Sequence, residues 1–152
     1  KVGMCDSGYF EMDRLPKHTA FGYIDLPDGT WKTNVYSVPV KGGADGGAYV
    51  TVGDMAKFWR ALLGFELLSE DMTHMLLSPR EVVDVEDDIY YGYAGFMEVN
   101  SHQEVIKYIQ MGYDPGVNYR AVYEPKSDIL IIVCSNQSEG AYELLKEMES
   151  IL

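Results

Sequence analysis

EVIKYIQMGYDPGVNYRAVYEPKSDILIIVCSN, residues 104–136, is the stretch that decides the fold. Its β-branched and aromatic runs predict three consecutive antiparallel strands, at 105–111, 118–123 and 129–134. The first two strands are joined by a turn in which Pro115 fixes φ and Gly116 permits a positive φ. We therefore expect the rest of the chain to pack as layers against this meander.

The third strand, 129–134, is apolar throughout and shows no alternation of polar and apolar residues. Such a strand is covered on both faces, which predicts a central position in the sheet. The expected fold class is α+β, with an antiparallel sheet of about three to five strands flanked by helices. The last helix is expected on one face, and two earlier capped helices nearer the other.

Composition limits the function before any motif is considered. The chain has 152 residues, 47% of them hydrophobic, and a formal net charge of −12. The acidic balance argues against nucleic acid, because phosphate binding needs clustered Lys and Arg, and also against anionic membrane surfaces. No apolar run reaches the ~20 residues of a membrane-spanning helix. Cys5 and Cys134 do not indicate a disulfide framework, and Cys134, inside the apolar strand, is predicted to be a buried thiol.

The sequence begins with Lys1 rather than Met and continues directly into Val2-Gly3-Met4. It contains no internal repeat and no low-complexity linker. We expect residues 1–152 to form a single domain, which is a processed product or a piece of a longer protein.

Residues 1–50 are rich in glycine, proline and turn sequences. Two β-prone runs, 20–24 and 30–36, flank the turn sequence 26–29 and predict a hairpin. The segment 42–47, GGADGG, requires a backbone that turns tightly or is approached closely. A phosphate-binding loop is the alternative to structural packing, but no Gly-Lys-Ser/Thr follows and Asp45 would repel phosphate.

Two helices are predicted after this region. The clearer one covers 51–63, where Thr51 and Asp54 make a capping pair, apolar residues follow at helical spacing, and Gly64 occupies the C-cap. A shorter helix is capped by Ser69. Its inward-facing residues are predicted to be Met72, Met75 and Leu76.

The remaining segments predict a loop, a strand and a helix. Residues 81–88 hold five acidic side chains, but they lack the spacing of a calcium loop, which favours a solvated loop. Residues 89–99 predict one strand, with Gly92 and Gly95 at bulges or close approaches. A last helix begins near Ser138 and is expected to dock on its own sheet rather than on a partner, with its Glu and Lys residues in water. Its apolar face comprises Ala141, Leu144, Leu145, Met148, Ile151 and Leu152.

Taken alone, the residues show no self-sufficient active site. His18, His74 and His102 lie in unrelated elements, and none is spaced with a second ligand as a metal pair would be. Neither a Gly-x-Ser-x-Gly elbow nor a cysteine placed as a nucleophile occurs. We therefore expect surface histidines, no metal and no cofactor.

Several segments nevertheless follow one another in a distinctive order: Val2-Gly3-Met4, the glycine-rich 42–47, the capped helix with Asp54, Tyr91-Gly92-Tyr93, Gly112-Tyr113-Asp114-Pro115-Gly116, and a strand ending at Asn136. This order extends over nearly the whole chain. It resembles the C-terminal half of a serine β-lactamase-like protein, closest to the superfamily of class C β-lactamases, D,D-peptidases and esterases.

The resemblance implies an acyl-enzyme mechanism that depends on three motifs. Ser-x-x-Lys and Tyr-x-Asn or Tyr-x-Ser do not occur in this sequence, and both would lie upstream of Lys1 in a full-length family member. By similarity, Gln110-Met111-Gly112 occupies the third motif, a Lys/His-Thr/Ser/Gly-Gly triplet on the strand that lines the cleft. Gly112 would let a substrate approach the backbone, and the N–H of Tyr113 would be an oxyanion donor. Gln110 replaces a cation and Met111 a small residue, so an ordinary structural role for both is the alternative.

The resemblance therefore implies the C-terminal part of a bacterial serine hydrolase acting on a β-lactam, a D-Ala-D-Ala peptide or an ester. The substrate-binding residues would be Gln110, Met111, Gly112 and Tyr113, and the chain by itself should be inactive, since the nucleophile lies elsewhere. The alternative is a non-catalytic module that binds a peptide or small molecule. A homodimer through an exposed sheet edge is also expected if strands of the other half are missing. The compartment is left open.

Overall fold

The computed structural model describes residues 2–152, and its architecture is α+β, as predicted. In these residues a two-stranded and a six-stranded antiparallel sheet are accompanied by three α-helices. The elements are β1 (Tyr23–Asp25), β2 (Trp31–Thr33), α1 (Val52–Leu63), α2 (Glu70–Leu76), β3 (Glu81–Asp84), β4 (Ile89–Tyr91), β5 (Phe96–Val99), β6 (Val105–Asp114), β7 (Val117–Glu124), β8 (Ile129–Ser135) and α3 (Ala141–Glu149).

The predicted meander is present as β6, β7 and β8, each one to three residues longer than the sequence indicated. A two-residue turn joins β6 to β7, and Gly116 adopts the positive φ of +78° that its position requires. The six strands are ordered as they occur in the sequence, from β3 to β8. The large sheet therefore holds one strand more than the upper limit expected.

The prediction of a central third strand is wrong, because β8 lies at the edge of the sheet. Its burial is real, since α1 packs on one face and α3 on the other. An apolar run reports how many faces of a strand are covered, and not how many strands flank it. The outer edge of β8 carries unpaired backbone groups in the part of the chain that the structure describes.

The two faces of the sheet have different cores. On the α1 face, Met55 and Trp59 pack against Ala121, with tyrosines of β6 and β7 around them. On the α3 face, Val122 packs against Ala141 and Leu145 together with two residues of β8. This layering confirms the placement of α1 and of the last helix on opposite faces.

The 81–99 region differs from the prediction in two ways, and glycines account for the second. Residues 81–84 form a strand instead of a loop, and 89–99 forms two strands instead of one. The chain reverses between Gly92 and Gly95, whose N–H and carbonyl groups are hydrogen-bonded at 2.9 Å. A Cβ on Gly92 would lie 2.3 Å from the Met97 side chain, which is the close approach that was expected there.

Helix faces and exposure also differ from expectation. In α2, Met72 and Met75 are exposed, and Thr73 is the buried residue. In α3, Leu144 and Met148 are exposed, while Glu149, expected in water, is only 13% exposed. Both cysteines are free and exposed, so the prediction that Cys134 is buried is wrong. The three histidines are exposed, as predicted.

The first fifty residues fold as expected in outline. Strands β1 and β2 pair antiparallel, which confirms the hairpin. In the glycine-rich segment, a Cβ on Gly42 would lie 2.4 Å from the carbonyl oxygen of Gly47, so close backbone packing accounts for its composition. Among residues 2–152 no helix is both long and apolar enough to cross a membrane.

Candidate functional site

The four predicted substrate-binding residues lie together on the second half of β6. Strand β5 pairs with β6 only as far as Ile109, which faces Phe96. Gln110, Met111 and Gly112 continue to pair with β7 on their other side. Within the described residues, the β5-side edge of this half-strand has no backbone partner. The candidate site is therefore a strand edge open to a ligand.

The backbone direction along β6 decides which amides face that open edge. The carbonyl oxygen of Ile109 lies 2.7 Å from the position that a Cβ would take on Gly95, so Ile109 directs its backbone groups to the β5 side. Amide directions alternate along a strand, and residues two apart share a direction. Met111 and Tyr113 accordingly direct their N–H groups to the open edge. Gln110 and Gly112 direct theirs to β7.

The side chains of the open half-strand alternate between the two faces. Gln110 faces α1 and accepts a hydrogen bond of 3.3 Å from the Tyr119 hydroxyl. Burial raises the pKa of that hydroxyl, which keeps it a neutral donor. Met111, 41% exposed, faces α3 and contacts the guanidinium of Arg120. On the α1 face, a Cβ on Gly112 would meet nothing within 4 Å, so the backbone is open to approach there.

The turn at the end of β6 is held by a segment distant in sequence. The Asn34 amide donates to the carbonyl of Pro115 at 3.1 Å, and the N–H of Gly116 donates to the Ser138 hydroxyl at 2.9 Å. A Cβ on Gly22 would lie 2.5 Å from the Gly116 carbonyl oxygen. The β1–β2 hairpin thus braces the end of the open half-strand, a long-range contact that no local pattern indicated.

The glycine-rich segment lies beside the same end of β6. A Cβ on Gly46 would be 4.0 Å from the Asp114 carboxylate. Two of the segments that carried the sequence resemblance, 42–47 and 112–116, are therefore neighbours in the structure.

A third segment of the resemblance anchors the chain start to α1. Asp54, only 1% exposed, accepts hydrogen bonds from the Asp6 N–H and the Ser7 hydroxyl at 2.8 Å, and from Lys57 at 2.7 Å. The bond from Lys57, with those from Ser7 and the Asp6 amide, holds the pKa of Asp54 below its ordinary value. The predicted cap is also present, as the Thr51 hydroxyl accepts from the Asp54 N–H at 3.1 Å. Asp54 therefore has a structural role beyond capping.

The chemistry available at the open half-strand is binding chemistry. It offers outward N–H groups, the neutral Gln110 amide and an approachable backbone at Gly112. Residues 2–152 contain no group of three His, Cys, Asp or Glu side chains that could hold a metal ion. The arrangement can hold a carbonyl or an oxyanion in place.

Two solved structures are similar to this chain. The crystal structure of a penicillin-binding protein from Bacillus halodurans is 50% identical, with a TM-score of 0.93, over 99% of this chain and 46% of that one. A D-stereospecific amidohydrolase from Streptomyces sp. has a TM-score of 0.69 at 15% identity, over 90% of this chain and 41% of its own, which is a likeness of fold alone. The chain thus spans less than half the length of either protein. No protein-family model and no curated protein sequence matches it.

Proposed function

We propose that this chain forms one wall of the catalytic cleft of a serine hydrolase, in the part that is C-terminal to the nucleophile. The chain has the β-lactamase-like serine hydrolase fold, as the resemblance in its sequence predicted. The reaction is acyl transfer from a β-lactam, a D-Ala-D-Ala peptide or an ester through a serine acyl-enzyme. The single observation that carries this proposal is the 50% identity to a penicillin-binding protein over 99% of the chain.

The geometry of the open half-strand supports the role of wall. A substrate carbonyl lying along β6 would meet the outward N–H of Tyr113, and Gly112 leaves room for its approach. A backbone N–H aimed at developing negative charge is an effective oxyanion donor because it needs no reorganisation during the reaction. The nucleophile and its base would come from the portion of the longer relatives that this chain does not span.

The identity of Gln110 and Met111 limits what this wall recognises. Gln110 is neutral and hydrogen-bonded to Tyr119, so it offers an amide where the family motif has a cation. A binding module without catalysis is the second candidate, and these two substitutions favour it. The two candidates differ in whether the full-length protein becomes acylated.

Acylation by a fluorescent penicillin and by a fluorophosphonate probe tests the proposal. We expect the 152-residue chain to remain unlabelled and the protein with its upstream residues to be labelled on a serine. Labelling of a side chain within residues 1–152 would refute the assignment of the nucleophile. Reversible binding of the penicillin by the full-length protein, without acylation, would support the binding module instead.

We further propose that the unpaired edge of β8 makes this chain dimerise when it is produced alone. An unpaired strand edge between two covered faces readily adds a strand from another chain. Sedimentation velocity over a range of concentrations tests this expectation. A monomer at every concentration would contradict it.

A further inference from the structure

We propose that a cavity on the α3 face of the sheet, beside the half of β6 that pairs with β5, binds a carboxylate through Arg120. The cavity has a volume of about 60 Å³ and lies between β6, β7 and α3. Its charged and aromatic lining consists of Arg120, Tyr142, Lys107, Lys146, Glu98 and Glu149. A cavity needs about 10–15 Å³ on this scale to hold one water molecule, so the space suits a group as small as a carboxylate.

Arg120 carries a hydrogen-bonding group that the protein leaves unused. Its Nε is buried and has no hydrogen-bond partner among the described residues. Its Nη1 contacts the sulfur of Met111, on the opposite side of the guanidinium. The edge formed by Nε and Nη2 is one of the two forks with which arginine binds a carboxylate bidentately. A buried charged donor without an acceptor is unfavourable, so an acceptor from outside would stabilise the site.

The carboxylates that line the cavity are already engaged by lysines. Lys107 Nζ lies 2.9 Å from Glu149 and 3.7 Å from Glu98. Lys146 Nζ lies 3.3 Å from Glu149, and Glu124, outside the cavity, lies 3.8 Å from Lys107. Within the described part of the chain Arg120 forms no ion pair, although the protein has 24 acidic residues. The cavity lining therefore leaves one positive charge, that of Arg120, uncompensated.

Tyr142 keeps the guanidinium in place. Its ring centroid lies 5.0 Å from Arg120 Cζ and 5.7 Å from Lys146 Nζ, so the ring is attracted to both cations. This contact orients Arg120 without using its N–H groups. Within the described residues, Nε therefore stays without an acceptor.

The remaining charges define the class of ligand. Glu98 and Glu149 line the same cavity and would repel a second negative charge. A monoanionic carboxylate is thus favoured over a phosphate dianion. Chloride is a weaker ligand than a carboxylate here, because both N–H groups must share one acceptor atom, whereas a carboxylate offers each N–H its own oxygen. The inferred ligand is a small carboxylic acid or the carboxylate of a peptide.

The test is an NMR titration of the folded chain with sodium acetate. Sodium acetate replaces an equal concentration of sodium chloride at each step, so the ionic strength stays constant. A buried Nε–H is protected from exchange, so the Arg120 resonance reports directly on the site. We expect this resonance to shift saturably with acetate. Backbone amide shifts around Tyr142 should report acetate binding in the wild type as well. The Arg120→Lys variant keeps the positive charge but loses the fork, so we expect acetate to cause no such shifts in it.

Arg80→Lys is the matched control, because Arg80 also lies over a tyrosine ring, that of Tyr93, at 4.0 Å, but is exposed. It should leave acetate binding unchanged. If Arg120→Lys does not fold, Lys146→Gln is the second variant, because Lys146 is exposed. It removes a positive charge from the cavity lining, so we expect acetate to bind several-fold more weakly. No shift of the Arg120 resonance with acetate, an equal shift with chloride, or stronger binding of phosphate would each overturn the proposal.

Discussion

Among the strand edges of the large sheet that lack partners in residues 2–152, those of β8 and of the second half of β6 differ in their surroundings. The edge of β8 lies between two helices, and apolar residues on each face of the strand pack beneath one of them. The edge of β6 beyond Ile109 has exposed residues, Met111 and Tyr113, on one face and open space before Gly112 on the other. Covered faces favour pairing with another strand, whereas open faces leave room for a ligand. We therefore propose assembly at the edge of β8 and ligand recognition at the open half-strand.

The largest loss of stability is expected from a substitution in α1, the helix that packs on one face of β8. Trp59 is 4% exposed and packs in the core cluster between α1 and the sheet. Trp59→Ala should lower the free energy of unfolding by about 3–5 kcal/mol, because it leaves a large cavity. Chemical denaturation measures this loss, and Trp31→Ala, at a position that is 62% exposed, is the control. An unchanged midpoint would mean that α1 does not cover the sheet.

A smaller loss of stability is expected at the boundary between the paired and open halves of β6. Gly95 has a φ of +150°, and a Cβ there would lie 2.7 Å from the Ile109 carbonyl oxygen. Gly95→Ala should therefore destabilise the protein by about 1–3 kcal/mol, through backbone strain and a clash at the last β5–β6 pair. Thermal unfolding followed by circular dichroism measures it. A neutral result would show that this boundary is not where the structure places it.

A pH-dependent effect separates the anchoring of α1 from its packing. The bond from Lys57 and those from Ser7 and the Asp6 amide lower the pKa of Asp54 in the folded state, so the unfolded state binds the proton more readily. The stabilisation is therefore present at neutral pH and is lost as the pH falls through about 4 and below. The free energy of unfolding of the wild type, measured by chemical denaturation at several pH values, should exceed that of Asp54→Asn at neutral pH. This difference should shrink over the acid range. A constant difference between the two from neutral to acid pH would contradict the assignment.

The smallest expected effect on stability is at the open half-strand itself. Gly112→Ala introduces a Cβ that meets no atom within 4 Å, so the free energy of unfolding should change by no more than about 0.5 kcal/mol. The same Cβ would stand where a ligand approaches the backbone, so acylation of the full-length protein should slow markedly. A variant with wild-type acylation would remove Gly112 from the wall.

Local patterns in the sequence predicted the elements whose cause is local. The turn at Pro115 and Gly116, the cap at Thr51 and the helix that follows it depend on neighbouring residues, and all are present. The order of motifs also identified the fold, because that order reflects the whole chain at once. The positions of the four candidate site residues on one half-strand followed from the same resemblance.

The errors share a physical cause, which is that they depend on distant residues. The edge position of β8 is set by which strands pair, and its apolar run reports only its two covered faces. The break in 89–99 arises where Gly92 meets Ser78 and Met97, and the brace on Gly116 comes from Asn34. The role of Asp54 depends on Ser7, far away in the chain. None of these contacts leaves a periodic signal in the sequence.

If the outward amides of the open half-strand face the reacting carbonyl, the Tyr113 amide must respond when an analogue of the tetrahedral intermediate binds. The backbone amide resonance of Tyr113 would be followed in the full-length protein as a boronic acid, an analogue of the tetrahedral intermediate, is added. We expect a large shift of the Tyr113 amide resonance and little change at Gln110, whose N–H is directed to β7. An unperturbed Tyr113 amide in the saturated complex would contradict it.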